Sequence, residues 1–237
     1  MKPYWTSPDG AIVVYHAPCE DVIASVLPVR EVALVHADPP YGGGQLAVKA
    51  KRSAMGARLN RKRVFDVIPG DDKPYDPAFL LALDRPTVLW GANHYSDRVP
   101  GSPSWILWDK RLDVAPDNQA DGELAWSNLG GPLRIFRRLW RGFARGADGA
   151  MPLHPSQKPE ELSGYIFRER AKLKRGDLVF VPYLGSGPDL PAAQAMGLRI
   201  VACDVEEWCC RTAIGRLQAI TPKEAAKPVG PLFARFQ

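Results

Sequence analysis

Six residues, Val32-Ala33-Leu34-Val35-His36-Ala37, are almost wholly apolar on both alternating faces, and Asp38-Pro39-Pro40-Tyr41-Gly42 ends the run. A strand without a polar face has to be covered on both sides, as an inner strand of a parallel sheet is. Two consecutive prolines stop it, because neither has a backbone N–H for a ladder. Other short runs follow the same pattern. Ile12–His16, Thr87–Trp90, 104–108, Leu178–Val181 and 198–203 read as strands. Residues 19–27 and 206–218 read as helices, the first with Asp21 in its opening turn and Pro28 past its end. This alternation predicts an α/β fold, a doubly wound, mostly parallel sheet in one domain over residues 1–237. Residues 42–86 and 110–153 have the weakest periodicity and read as insertions on that sheet.

Composition narrows the class. The chain has 237 residues, 46% of them hydrophobic, enough for a sizeable core and too apolar for a disordered tail. No stretch reaches eighteen uninterrupted apolar residues, so no membrane span is expected, and Met1-Lys2-Pro3-Tyr4-Trp5 lacks the apolar segment of a secretory leader. Four cysteines, with no C-x-x-C pair, fit a reduced cytoplasmic protein without a zinc module or other metal. The net charge of +5 permits binding to a polyanion without requiring it.

The Asp38-Pro39-Pro40-Tyr41 turn follows the strand, where open α/β sheets bind their ligands. An exocyclic amine on a nucleobase is a poor nucleophile, because its lone pair is delocalised into the ring. Two acceptors that take its two N–H groups favour a pyramidal nitrogen with the lone pair free. The Asp38 carboxylate and the Pro39 carbonyl can be those acceptors, and Tyr41 offers a flat face to an extruded base. The same residues also fit a plain strand-terminating turn that Asp38 merely closes.

A second turn, Leu184-Gly185-Ser186-Gly187, lies between a strand and a helix, and Asp204 ends the following strand. Glycine lets a ligand approach the backbone, and an acid at that strand end can hold two ribose hydroxyls. No Lys follows the glycines, so a phosphate loop fits poorly and an adenosine with a cationic substituent fits better. An ordinary tight turn remains the other reading. The third feature, His154-Pro155-Ser156-Gln157-Lys158-Pro159-Glu160-Glu161, is either a helix cap or a loop beside a ligand, with Lys158 as a charge clamp.

DPPY, then HPSQKP, then G-S-G and an acidic strand end, in that order, resembles the circularly permuted (beta-type) DNA amino-methyltransferases. These use S-adenosylmethionine to methylate adenine N6 or cytosine N4. The resemblance runs from about residue 10 to residue 217, and the stretches 90–94, 105–110 and 123–126 are similar to small phage-type members. It implies a Rossmann-like methyltransferase fold, with Asp38, Pro39, Pro40 and Tyr41 as the catalytic turn. It places Asp38, His154, Ser156, Lys158, Gly185, Ser186, Gly187, Asp204 and Val205 around the cofactor. It further implies double-stranded DNA as substrate, a role in restriction–modification or in a phage, a prokaryotic or phage-infected cytoplasm and a homodimer. DPPY in place of a serine-led turn favours adenine over cytosine.

Three positions depart from the family. Val181 stands where an acid usually precedes Pro-Phe/Tyr, Pro188 and Asp189 replace two threonines, and Ala17-Pro18-Cys19 replaces Gly-Asp-Cys. The expectation is that Asp189, or water, takes over from the acid absent at Val181. Two other readings follow: a DNA-binding subunit impaired in catalysis, or transfer to cytosine N4, to RNA or to a protein amide.

Charge is also clustered. Residues 49–63 hold seven basic residues and no acidic one, among them Arg58, Arg61, Lys62 and Arg63. Arg134, Arg137, Arg138, Arg141 and Arg145 recur at helical spacing between Phe136, Trp140 and Phe143. Both segments are expected to contact DNA phosphates, the second as an amphipathic helix. The other reading of that helix is a solvated arginine face over an aromatic core. His16, His36 and His94 lie at strand ends without metal spacing, so structural roles are expected for them.

Overall fold

The structure is a computed structural model that describes residues 1–42, 70, 72–112, 120–140 and 157–219. Its strands are β1 (Trp5–Thr6), β2 (Ile12–His16), β3 (Val32–Ala37), β4 (Thr87–Trp90), β5 (Trp105–Asp109), β6 (Gly122–Ser127), β7 (Arg134–Arg137), β8 (Leu178–Val181) and β9 (Arg199–Asp204). Its helices are α1 (Cys19–Ser25), α2 (Ala78–Leu81), α3 (Glu160–Tyr165), α4 (Asp189–Met196) and α5 (Glu207–Ala219). Residues Ile166–Arg170 prolong α3 in a wider, π-type turn.

The described strands form one sheet in the order β1-β2-β9-β8-β3-β4-β6-β5-β7. From β2 to β4 all neighbours are parallel, and β6 enters antiparallel between β4 and β5. The apolar run 32–37 is the middle strand, and its alternate residues serve two cores. Leu34 packs with Leu162, Phe167, Leu190 and Ile214 on the face of α3, α4 and α5. Val35 and Ala37 pack with Cys19, Val22, Leu80 and Phe180 on the face of α1 and α2. Fully burying side chains such as Phe167 or Phe180 contributes roughly 2–3 kcal/mol each.

The helix ends follow local chemistry. Helix α4 stops at Gly197, whose φ of +64° needs no Cβ, and the N–H groups of Gly197 and Leu198 return to the carbonyls of Gln194 and Ala193. Helix α1 opens after Pro18 with Glu20 and Asp21 in its first turn, where negative charge is favoured.

Two sequence expectations are corrected here. Residues 134–137 are a strand, not the start of an amphipathic helix: β7 lies parallel to β5, with Ile106 to Asp109 opposite Arg134 to Arg137. The Ile135-Phe136 pair suits a pleated surface, and the flanking arginines suit a sheet edge, which charge protects from further pairing. Moreover, β6 and β7 come from the 110–153 segment that was read as an insertion, yet they are strands of the sheet itself. No helix among the described residues is long and apolar enough to cross a membrane.

Candidate active site

The strand directions gather the polar groups at one edge. Strands β3, β4, β8 and β9 end there, at Asp38, Gly91, Leu184-Gly185 and Asp204 respectively. Because β6 runs the other way, its first residues reach the same edge, with Glu123 opposite Trp108. Lys110, just past β5, arrives beside it.

Asp38 sits in a chain of alternating charge. Its Oδ2 is 2.5 Å from Lys158 Nζ, which is also 2.9 Å from Glu123 Oε2. The other Glu123 oxygen pairs with Lys110. Tyr41 donates its hydroxyl proton to Asp38 Oδ1 at 2.6 Å and accepts a longer contact of 3.4 Å from Lys158. Burial alone would lower Lys158, but Asp38 and Glu123 outweigh it and hold the ammonium above its usual range. Burial alone would raise Glu123, but Lys158 and Lys110 outweigh it and hold the carboxyl below its usual range. Burial, then Asp38 and Glu123, push the Tyr41 phenol well up, so it stays a proton donor. The Asp38 side chain keeps 29% of its surface exposed, so an incoming N–H can reach it.

The Tyr41 ring is held on two sides. It stacks on His94 at 5.1 Å between centroids and 11° between planes. It also lies against Gly91, where a Cβ would come 2.0 Å from the ring and where φ is +69°. Only glycine fits that place.

The second turn is pinned to Asp204. Gly185 N–H donates to Asp204 Oδ2 at 2.8 Å, and Glu206 N–H donates to Oδ1 at 2.9 Å. Burial pushes the Asp204 carboxyl up, and these two bonds work against that. Each oxygen keeps further lone pairs for hydroxyl donors. Val205 beside it is 47% exposed, a free apolar surface next to the acid. Its carbonyl accepts from His16 Nε2 at 3.0 Å.

Of the turn residues, Gly185 is the more open. Ser186 and Gly187 face the protein. A Cβ at Gly187 would lie 2.3 Å from Ala213 Cβ, so this glycine serves the packing of α5 more than ligand approach. Ser186 offers its carbonyl and hydroxyl oxygens to Arg216 at 2.9 and 3.1 Å, and Arg216 also donates to Glu160 Oε1 at 2.8 Å.

Asp189 does not replace the acid missing at Val181. It is buried under the sheet edge, where its Oδ1 lies 2.7 Å from His36 Nδ1. Trp90 Nε1, a donor only, is 2.9 Å from His36 Nε2, so the imidazole proton is on Nδ1 and goes to Asp189. That carboxylate is already occupied with a structural partner. Val181 itself is in the core, and Pro18 starts α1.

The structure thus joins Asp38, Pro39, Pro40, Tyr41 and Lys158 in one site, with Gly185, Asp204 and Val205 along the same edge. His154, Ser156, Arg58, Arg61, Lys62, Arg63 and Arg141 lie outside the described residues. The remaining arginines do not form one face. Arg134 is exposed at the far end of β7, Arg137 lies 3.7 Å from Asp109, and Arg138 pairs with Glu161 at 2.8 Å. Three neighbours of the site escaped the sequence reading. Glu123 and Lys110 come from separate strands and carry no motif spacing, and His94 was expected to be structural. Among the described residues, no three His, Cys, Asp or Glu side chains are grouped as metal ligands.

No family model matches the chain. Over 119 residues it is 29% identical to the type II methyltransferase M2.DpnII of Streptococcus pneumoniae, a match covering 50% of this chain and 43% of that protein. The matched region therefore spans less than half of that relative. Among solved structures, the cytosine-N4-specific PvuII DNA methyltransferase superposes with a TM-score of 0.57 at 13% identity, covering 94% of this chain and 92% of the other. A DNA modification methylase of Thermus thermophilus, TTHA0409, gives 0.50 at 16% identity, covering 91% and 96%. The chain thus has the Rossmann-like α/β fold of these methyltransferases, and its resemblance to them extends to part of its sequence.

Proposed function

We propose that this chain is a DNA methyltransferase that moves a methyl group from S-adenosylmethionine to the N6 amino group of an extruded adenine. One observation carries the reading. A carboxylate fixed by Tyr41 and Lys158, and still open to solvent, stands beside a rigid proline turn on the edge that also presents Asp204. That edge fits the cofactor, because Asp204 is held facing outward by two backbone donors with an open glycine and an exposed apolar side chain next to it.

The residues of the chain act mainly by positioning. Asp38 and the Pro39 carbonyl take the two N–H groups of the amine and turn its lone pair outward. Tyr41 supplies the stacking face, and Lys158 keeps Asp38 anionic. Asp204 takes the ribose hydroxyls, with Gly185 and Val205 beside it. S-adenosylmethionine supplies a methyl carbon on a cationic sulfur, which the nitrogen takes in one in-line displacement. The nitrogen then releases a proton. The aspartate-led turn and the relative among DNA methyltransferases support adenine in DNA; the PvuII likeness keeps cytosine N4 within the class.

Labelled cofactor offered in parallel to DNA, RNA and protein tests the reading. Label recovered in DNA as N6-methyladenine is expected. Label in cytosine, in RNA or in protein would overturn the substrate.

A second reading, DNA binding without transfer, is favoured by Val181 and Pro18 together with the engagement of Asp189 by His36. Each missing charged hydrogen bond weakens binding by about 1–3 kcal/mol. Isothermal titration decides between the two: no cofactor binding at millimolar concentration would favour the second.

A further inference from the structure

We propose that Glu123 is a positioning residue for methyl transfer, acting through Lys158 to hold the Asp38 carboxylate, with Lys110 fixing Glu123 in turn. This rests on the amino-methyltransferase reading above.

An ammonium has three N–H donors. Those of Lys158 have three acceptors within reach: Asp38 Oδ2, Glu123 Oε2 and, at longer range, Tyr41 Oη. Lys158 is buried, so its place is set by these contacts and not by solvent. Through Lys158 the Asp38 oxygen is fixed from one side, while Tyr41 fixes the other oxygen. Glu123 therefore decides where the lysine stands.

Charge argues the same way. Lys110, Glu123, Lys158 and Asp38 alternate in sign and sum to zero. Without Glu123, two ammonium groups would depend on Asp38 alone, and Lys158 would swing fully onto the carboxylate that has to receive the substrate. Glu123 shares the lysine and leaves Asp38 free to accept. A purely structural pair would be dispensable, since well-packed apolar side chains often replace buried ion pairs without loss of stability. The antiparallel entry of β6 gains a reason too: it brings the strand's opening residues to the catalytic edge.

The groups facing Lys158 are Asp38 and Tyr41 after β3, Glu123 on β6, Lys110 after β5, and the Trp90 ring on β4 at 5.5 Å. Two of them are anions, so removing one makes the ammonium easier to deprotonate.

The test compares the full chain with Glu123→Gln and Glu123→Asp. With DNA and labelled cofactor, the Gln variant is expected to lose about tenfold to a hundredfold in kcat, with KM for S-adenosylmethionine within about twofold. The alkaline limb of its rate profile should move down by about one pH unit or more, and Asp should restore part of both effects. Unchanged kcat, or an alkaline limb in the same place, would overturn the proposal. If the unaltered chain transfers no methyl group, the functional reading fails separately. The Lys158 ammonium titration, followed by NMR, then decides for Glu123: a lower titration in the Gln variant supports the coupling, and an unmoved one overturns it.

Discussion

At the scale of single residues, the site is built from contacts that only one side chain could make. Gly91 is the clearest. Alanine there has to place its Cβ where the Tyr41 ring lies, in a backbone conformation that disfavours any side chain. Gly91→Ala is expected to destabilise the fold by about 1–3 kcal/mol and to cost about a hundredfold in kcat, because Tyr41 must move. Thermal unfolding and methyl-transfer assays on the same preparation check both. The charged residues make a pH prediction. Glu123 has its carboxyl depressed, so its contribution to stability is present above about pH 4.3 and is lost as pH falls toward the folded value. Lys158 has its ammonium raised, so its contribution is full below about pH 10.4 and is lost as pH rises beyond it. Melting temperature against pH should therefore fall at both ends, and Lys158→Met should shrink the alkaline fall. An identical alkaline fall in the variant would contradict the assignment. The catalytic turn was legible because its residues are contiguous. The charge chain was not, because residues 38, 110, 123 and 158 meet only through the sheet. Asp189 was misread for the opposite reason: nearness in sequence to Val181 says nothing of where a side chain at a helix start points.

Elements set how firmly these residues are held. Arg216 on α5 binds Ser186 in the glycine turn and Glu160 at the start of α3, tying three segments together. Arg216→Ala should loosen the turn and raise the Kd for S-adenosylmethionine by roughly tenfold, in line with the loss of one to two charge-assisted bonds. Titration calorimetry measures this directly, and unchanged affinity would show that the turn holds without the clamp. Strands were read more safely than other elements. Ile12–His16, Val32–Ala37, Thr87–Trp90 and Leu178–Val181 match the sequence reading residue for residue, since buried parallel strands are short apolar runs with sharp ends. Arg134 to Arg138 misled because arginines three and four apart fit a helix face as well as an edge strand. What settled the matter is pairing with β5, a long-range fact that no local pattern carries.

The whole molecule explains why so few residues suffice. A sheet whose parallel strands end on one edge, with one antiparallel strand starting there, brings an anion for the base, an anion for the ribose and a buried lysine together without any long loop. Arg137 and the end of β7 reach the same edge, next to where a duplex would lie. Binding of DNA should weaken linearly with salt on logarithmic axes, and Arg137→Ala should reduce that slope by about one. An unchanged slope would remove Arg137 from the interface.

The most direct measurement is single-turnover transfer of labelled methyl groups to DNA by the unaltered chain and by Asp38→Ala, with cofactor affinity measured alongside. The account predicts N6-methyladenine from the first and none from the second, at equal affinity for S-adenosylmethionine. An Asp38→Ala protein that methylates adenine at the unaltered rate would contradict it.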